Sequence, residues 1–358
     1  MNYRIADILA GESQNTAGTK TIDLTIQDIL SRITIRFKGT NNGDAPTAHP
    51  AKMISKVEVV DGSDVLMSMS GMEIQALDHY NKLTNRQDTL NFSDNEMAII
   101  ELNLNFGRHL WDPDLALDLK QFNNPQLKIT HNKASGGSAP DAGNLRVIGW
   151  AFDEKVPAPS GYLMAKEYYS YTCGADGTYE YIDLPTDYPL KMMLSMALLA
   201  DYHPWQVVNE IKIDEENDKR VIMDKKISDW SCYTSQMYQA VTEMMRFTGA
   251  ASTALTCFIT PAYECTVAPV SRSTAGHFAI GLPYGGNVDI TPEQAGDDFA
   301  LVFGYLPHGA IPVPFGDPKD INDWYNVAEK GNIRLRQKAG SAGASGSSQI
   351  VLQQYRNY

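Results

Sequence analysis

Residues 54–67 read ISKVEVVDGSDVLM, and residues 208–223 read VNEIKIDEENDKRVIM. Both stretches alternate apolar and polar residues, break at an acidic turn, and then resume. Successive side chains of a strand point to opposite faces, so each stretch reads as a β-hairpin with one buried and one wetted face. Val57 and Val59 align with Ile211 and Ile213, and Met67 aligns with Met223. Each hairpin leads into a short segment of helical spacing. Ile74, Leu77 and Asn81 follow Gly71 in the first, and Met237, Val241 and Met244 lie within SQMYQAVTEMMRF in the second. A unit that recurs in one chain is the mark of an internal duplication.

The alternation extends along the whole chain. IELNLNF, Ile100 to Phe106, sets Ile100, Leu102, Leu104 and Phe106 on one face. Shorter runs occur at Ile33, Ile35 and Phe37, at Leu127 and Ile129, and at Ile333 and Leu335. Between them lie stretches rich in Gly, Pro, Asn and Ser, the composition of a sandwich rather than of alternating strands and helices. Further matches keep the same order. Leu104, Phe106 and Gly107 align with Leu301, Phe303 and Gly304, and Asp112-Pro113 aligns with Asp317-Pro318. QLKITHNKASGG aligns with NIRLRQKAGSAG, and the closing strands NLRVIGW, ending at Trp150, and QIVLQQY, ending at Tyr355, align in turn.

These matches predict an all-β chain of two tandem eight-stranded β-sandwiches, with short helices capping them. The first unit covers 1–157 with an amino-terminal arm, and the second covers 158–358. A stiff connector, VPAPSG at Val156 to Gly161, joins them. The spacing between matched residues widens in the second copy, which places a long loop insertion there at about 224–300. Long excursions from a sandwich carry function or interface.

Composition narrows the class. The chain has 358 residues, 43% hydrophobic and 20% charged, as expected of a folded protein. Asp and Glu number 43 against 30 Lys and Arg, for a formal charge of −13 and a pI near 5.0. Such a balance argues against a protein that coats nucleic acid, where phosphate binding needs clustered cations. The start, MNYRIADILAGESQNT, lacks the apolar core of a signal peptide. The apolar run Met192 to Ala200 is too short to span a bilayer. The four Cys (Cys173, Cys232, Cys257, Cys265) form no CxxC pair and read as reduced, buried thiols of a protein made inside a cell.

No catalytic constellation emerges. His49, His79, His109, His131, His203, His277 and His308 are scattered without HxH or HExxH spacing. Asp112, Asp114 and Asp118 lack the Gly and Glu of a calcium loop. The glycines of Gly281 to Asn287 lack the Lys of a phosphate loop. No cofactor and no metal site is expected. At the amino terminus Tyr3, Ile5, Ile8 and Leu9 read either as a frayed end or as the apolar side of a short amphipathic helix, an anchor on a neighbour or a membrane surface.

Two tandem sandwiches without motif chemistry resemble the double jelly-roll major capsid proteins of tailless icosahedral phages with an internal membrane, a lineage that includes the adenovirus hexon. The features that match are the hairpin-then-helix units at Ile54 to Leu83 and Val208 to Met245, and the closing strands at Leu127 to Trp150 and Ile333 to Tyr355. The resemblance implies a structural protein of the virion shell, made in the host cytoplasm. Homotrimers would form pseudo-hexagonal capsomers that contact neighbouring capsomers, minor capsid or penton proteins and an internal membrane, and bind no nucleic acid sequence-specifically. It also implies that the insertion is an outward or inter-subunit loop, and that Tyr3, Ile5, Ile8 and Leu9 lie on the inner or membrane side. Two other classes remain open: a two-jelly-roll glycan hydrolase of the glycoamidase kind, and a receptor- or carbohydrate-binding spike module.

Overall fold

The computed structural model describes residues 2–41, 43, 45–81, 88–134, 139–270, 278–281, 284–293, 295–328 and 330–358. The first half supplies β1 (Tyr3–Ser13), β2 (Gly18–Asp23), β3 (Leu30–Thr40), β4 (Ile54–Asp61), β5 (Asp64–Met69), helix α1 (Gly71–Asn81), β6 (Leu90–Phe92), β7 (Met97–Asn105), β8 (Pro125–His131) and β9 (Ala142–Phe152). All but β6 form two four-stranded arrays, β1-β9-β3-β7 and β2-β8-β4-β5. Residues from both arrays share one core, among them Ile33, Phe37, Val57, Leu102 and Ile129.

The second half repeats the arrangement. It supplies β10 (Gly161–Thr172), β11 (Tyr179–Asp183), β12 (Leu190–Met196), helix α2 (Pro204–Val207), β13 (Val208–Glu215), β14 (Arg220–Lys226) and helix α3 (Ile227–Met237). After an excursion come β21 (Ala310–Pro314), β22 (Ile333–Ala339) and β23 (Ser347–Asn357). The arrays are β10-β23-β12-β21 and β11-β22-β13-β14, the same order of strands as before. Eight strands wrapped in this order into two sheets make a jelly roll. The chain therefore folds as two tandem jelly rolls.

Register proves the duplication residue by residue. Val57 and Val59 lie opposite Ile129 and Leu127, as Ile211 and Ile213 lie opposite Gln337 and Leu335. Met67 faces Val59, and Met223 faces Ile213. Even a β-bulge is repeated, between Asp7 and Leu9 in β1 and between Glu167 and Tyr169 in β10. The hairpin turns differ. Gly62, with φ of 61°, makes the tight first turn, whereas Glu216, Asn217 and Asp218 are all left-handed in the second.

Four of the sequence alignments are corrected. Val59 lies opposite Leu127 and its copy Ile213 opposite Leu335, so in the pair QLKITHNKASGG and NIRLRQKAGSAG Leu127 matches Leu335, two residues beyond Ile333. The Phe106 N–H donates to the Ser31 carbonyl, and the Phe315 N–H donates to the Lys191 carbonyl. Phe315-Gly316 is thus the copy of Phe106-Gly107, not Phe303-Gly304. The bridges Leu30–Leu117 and Leu190–Tyr325 likewise put Asp112-Pro113 out of step with Asp317-Pro318. In the closing strands Ala151 and Gln354 occupy the same place, opposite Leu30 and Leu190, so Trp150 matches a residue two before Tyr355. A slip of two keeps every side chain on its face, which is why alternation alone does not reveal it.

The expected loop insertion is itself built of strands. Between α3 and β21 lie β15 (Val241–Gly249), β16 (Leu255–Phe258), β17 (Pro261–Val270), β18 (Phe278–Ile280), β19 (Asn287–Pro292) and β20 (Gly296–Pro307). They form the sheets β17-β20-β15-β6 and β16-β19-β18 around their own core of Phe92, Met245, Phe247, Ile259, Val288 and Val302. The first half contributes β6, which runs parallel to β15.

The apolar run Met192 to Ala200 has a packing explanation. Every residue of β12 is buried. Met192, Leu194 and Met196 join the core that contains Ile74, Leu77 and Tyr80 of α1, while Leu190 and Met193 join the second roll's core. A strand covered on both faces reads as a continuous apolar run. Among the described residues no helix is long and apolar enough to cross a membrane. All four cysteines are free; Cys173 and Cys257 are buried as expected, whereas Cys265 is half-buried and Cys232, on α3, is exposed.

At Gly161, where β10 begins, an added Cβ would stand 2.1 Å from the Arg356 carbonyl oxygen, a backbone atom of the paired strand β23. Gly161→Ala is expected to lower stability by about 1–3 kcal/mol in urea denaturation. Gly18→Ala, in β2 with open space around it, should be neutral or slightly stabilising.

Candidate assembly surface

The two rolls are joined by a seam. β5 meets β10 in parallel, Ser68 opposite Lys166, so that two four-stranded arrays become one sheet of eight strands. Helix α1 seals the seam. It begins with a capping box, in which Glu73 accepts from the Ser70 N–H at 2.6 Å and the Glu73 N–H reaches Ser70 Oγ at 3.3 Å. Eight of its residues are buried, because one side packs on its own roll and the other on the second. Tyr80 donates to the Ala310 carbonyl at 2.6 Å, and His308 Nε2 donates to Gln75 Oε1 at 2.7 Å. Arg356 grips Asp64, and Tyr358 donates to the Ala116 carbonyl at 2.6 Å.

One carboxyl at the seam is far from its ordinary behaviour. Burial, with the nearby Glu167 charge, raises Glu73 to about 7 against the opposing Ser70 hydrogen bonds. The seam thus holds an acid that folding prefers protonated.

The same elements recur with nothing against them. β14 is the copy of β5 and β1 the copy of β10, yet each is a terminal strand of its sheet. Matching the registers makes Asp224 the counterpart of Ser68 and Ala6 the counterpart of Lys166. Helix α3 has the same length as α1, 11 residues, but buries only Ile227, Ser231 and Thr234. Val221 (46% exposed) and Tyr233 (53%) lie open on this side, and Ile5 (59%) lies open on β1. The net charges of the two strands differ in sign: β14 carries Arg220, Lys225 and Lys226 against Asp224, whereas β1 carries Asp7 and Glu12 against Arg4. A second open apolar patch lies on the outlying sheet, where Met244 pairs with Leu301 beside the pair Thr242 and Phe303.

Tyr3, Ile5, Ile8 and Leu9 are not on a helix, nor is this end frayed. They belong to β1, paired along its length with β9. The bulge at Ile8 shifts the side-chain phase by one, so that a strand mimics helical spacing. Tyr3 stacks on Trp111 at 4.2 Å, and Ile8 and Leu9 pack on the first core, leaving Ile5 outermost. Met1, Leu83 and His277 lie outside the described residues. Among those described, no group of three or more His, Cys, Asp or Glu could hold a metal ion. Asp112 and Asp114 instead clamp Arg108, and Asp118 accepts from the Lys120 N–H at 3.1 Å. Sequence reasoning missed Glu73 and Tyr80; the Ser70-to-Glu73 spacing was the available signal for the first.

No family model matches this sequence, and no curated protein matches it. Comparison with solved structures defines the class: the fold is the double jelly roll of viral major capsid proteins. The major capsid protein P2 from bacteriophage PM2 is similar at a TM-score of 0.59 and 10% identity, over 99% of this chain and 98% of that one. The STIV major capsid protein is similar at 0.60 and 9%, over 99% and 97%. The PBCV-1 virus capsid is similar at 0.60 and 12%, over 99% and 94%. At these identities the likeness is one of fold.

Glu73 gives the seam a pH signature. A carboxyl raised on folding favours the folded state most at low pH, and that advantage is lost as pH climbs from the unfolded value, about 4.3, through about 7. Glu73→Gln, which keeps a capping-box side chain, should flatten the decline in urea midpoint between pH 5 and 8.

Proposed function

We propose that this chain is the major capsid protein of an icosahedral virus, a structural protein rather than an enzyme, which assembles as a homotrimer. The matched pair of open edges carries the reading. Inside one chain the contact of β5 and α1 with the second roll uses one half of each duplicated surface. The same contact between β14 and α3 of one copy and β1 of the next, made three times, closes a ring of six rolls. In that ring Asp224 of one copy stands opposite Ala6 of its neighbour, and Ile5 with Tyr3 lies at the contact.

Closed rings are the economical solution for exposed strand edges, which otherwise template open-ended association. The charge contrast between β14 and β1 favours the same partner. We take the division of the chain at 157/158 as the boundary between the two positions that each copy fills. The resulting pseudo-hexagonal block tiles a shell, so the virion is the location this reading gives. Neighbouring capsomers, minor capsid proteins and an internal membrane are the surfaces the block would meet.

Light scattering of the purified chain should give three times the 39.6 kDa mass, and electron microscopy should show hexagonal outlines. Val221→Asp combined with Ile5→Asp should leave a folded monomer with an unchanged circular dichroism spectrum. A monomeric natural chain, or a trimer indifferent to both substitutions, overturns the proposal.

A further inference from the structure

A cavity of about 700 Å³ lies where the rolls meet, between the ends of α1 and α3, the loop after β7 and the loop after β21. Its volume is that of a small-molecule site. Four basic side chains line it, Lys191, Arg108, His109 and Lys319, and no Asp or Glu is among its described lining residues. Tyr80, Met237, Tyr238 and Pro314 supply apolar wall.

Lys191 is the unusual member. It is 3% exposed, on a strand covered on both faces, and its ammonium is held by two neutral amide oxygens, Asn81 Oδ1 and, at 3.0 Å, Gln353 Oε1. An ammonium has three protons to donate, and a buried charge without a counter-charge is strongly unfavourable. The neighbouring charge does not help, since it is another cation. Arg108 is itself engaged by Asp112 at 2.7 Å and by Asp114 at 2.5 Å. Burial first, and Arg108 second, lower Lys191 to about 7. Its counterpart in the first roll is Ser31, whose carbonyl accepts the matching strand hydrogen bond. The duplicated fold therefore does not require a lysine here.

We propose that this cavity binds a small organic carboxylate, whose oxygens pair with the Lys191 ammonium while its apolar body rests against Tyr80 and Tyr238. The carboxylate supplies the counter-charge that the protein lacks at this point. The aromatic and Pro walls favour an anion with a hydrocarbon body over a bare, strongly hydrated one. Every described wall comes from one chain.

Isothermal titration calorimetry of the full-length protein at pH 7 with 4-phenylbutyrate, 4-phenylbutan-1-ol and inorganic phosphate tests this. Phenylbutyrate should bind once per chain, and the alcohol and phosphate at least about tenfold more weakly. Lys191→Met replaces the ammonium with an apolar chain, should keep the melting temperature, and should weaken phenylbutyrate about tenfold or more. Met237→Trp fills the cavity from α3 without touching Lys191 and should block binding equally. Absence of phenylbutyrate binding, equal binding of the alcohol or of phosphate, or undiminished affinity in a folded variant of either kind overturns the proposal.

Discussion

A β-sheet that is apolar on both faces must be covered twice, and the array around β12 is that sheet in this molecule. Its inner face meets the second roll's core, and its outer face meets α1 of the first roll. The cost of leaving either face in water, about 25 cal/mol for each Å² of apolar surface, holds the rolls together. The other seam contacts follow from this burial. β5 is brought alongside β10, Tyr80 reaches Ala310, and Tyr358 reaches back to Ala116. The first roll's corresponding sheet is dressed differently, with Arg32 on Asn105, Thr34 on Asn103 and Trp150 on Thr34. One duplicated framework thus carries an oily outer face in one half and a polar one in the other.

Much of the fold was legible because alternation is local. Ile100, Leu102, Leu104 and Phe106 are all buried, and the hairpins at Val57 and Ile211 hold identical places in their sheets. What alternation leaves open is register, since shifts of two residues are silent; hence the two-residue error in the last strands. The Phe303-Gly304 match failed for another reason: an apolar alternation followed by Phe-Gly occurs both in the roll, just after β7, and inside β20 of the outlying sheet, and only the partner strand tells them apart. The bulge in β1 defeated the reading of Tyr3 to Leu9 because one extra residue converts a period of two into something close to a helical period.

The site was less legible than the fold, for a physical reason. Open edges and half-buried helix faces are defined by what does not pair with them, and a sequence records pairing only through patterns that a buried face imposes. Met237 on α3 reads as an ordinary helix residue, as Leu77 and Asn81 do on α1, yet one helix is sealed and the other is not; Val241 and Met244, read at the same helical spacing, lie instead in strand β15. Lys191 stands immediately before the apolar run Met192 to Ala200, and its isolation is invisible in the sequence because it depends on Gln353 and Asn81 from remote parts of the chain.

The short strand β6 ties Leu90 to Phe92 of the first half onto β15 of the second, and Phe92 sits in the outlying core beside Phe247. During synthesis the ribosome releases the early strand long before its partner exists, so this sandwich cannot close until well over half the chain has emerged. Contacts of such sequence separation are slow to form, and until then Leu90 and Phe92 remain a sticky segment of the nascent chain. Moving the outlying sandwich onto another framework would for the same reason require transplanting two distant stretches together rather than one.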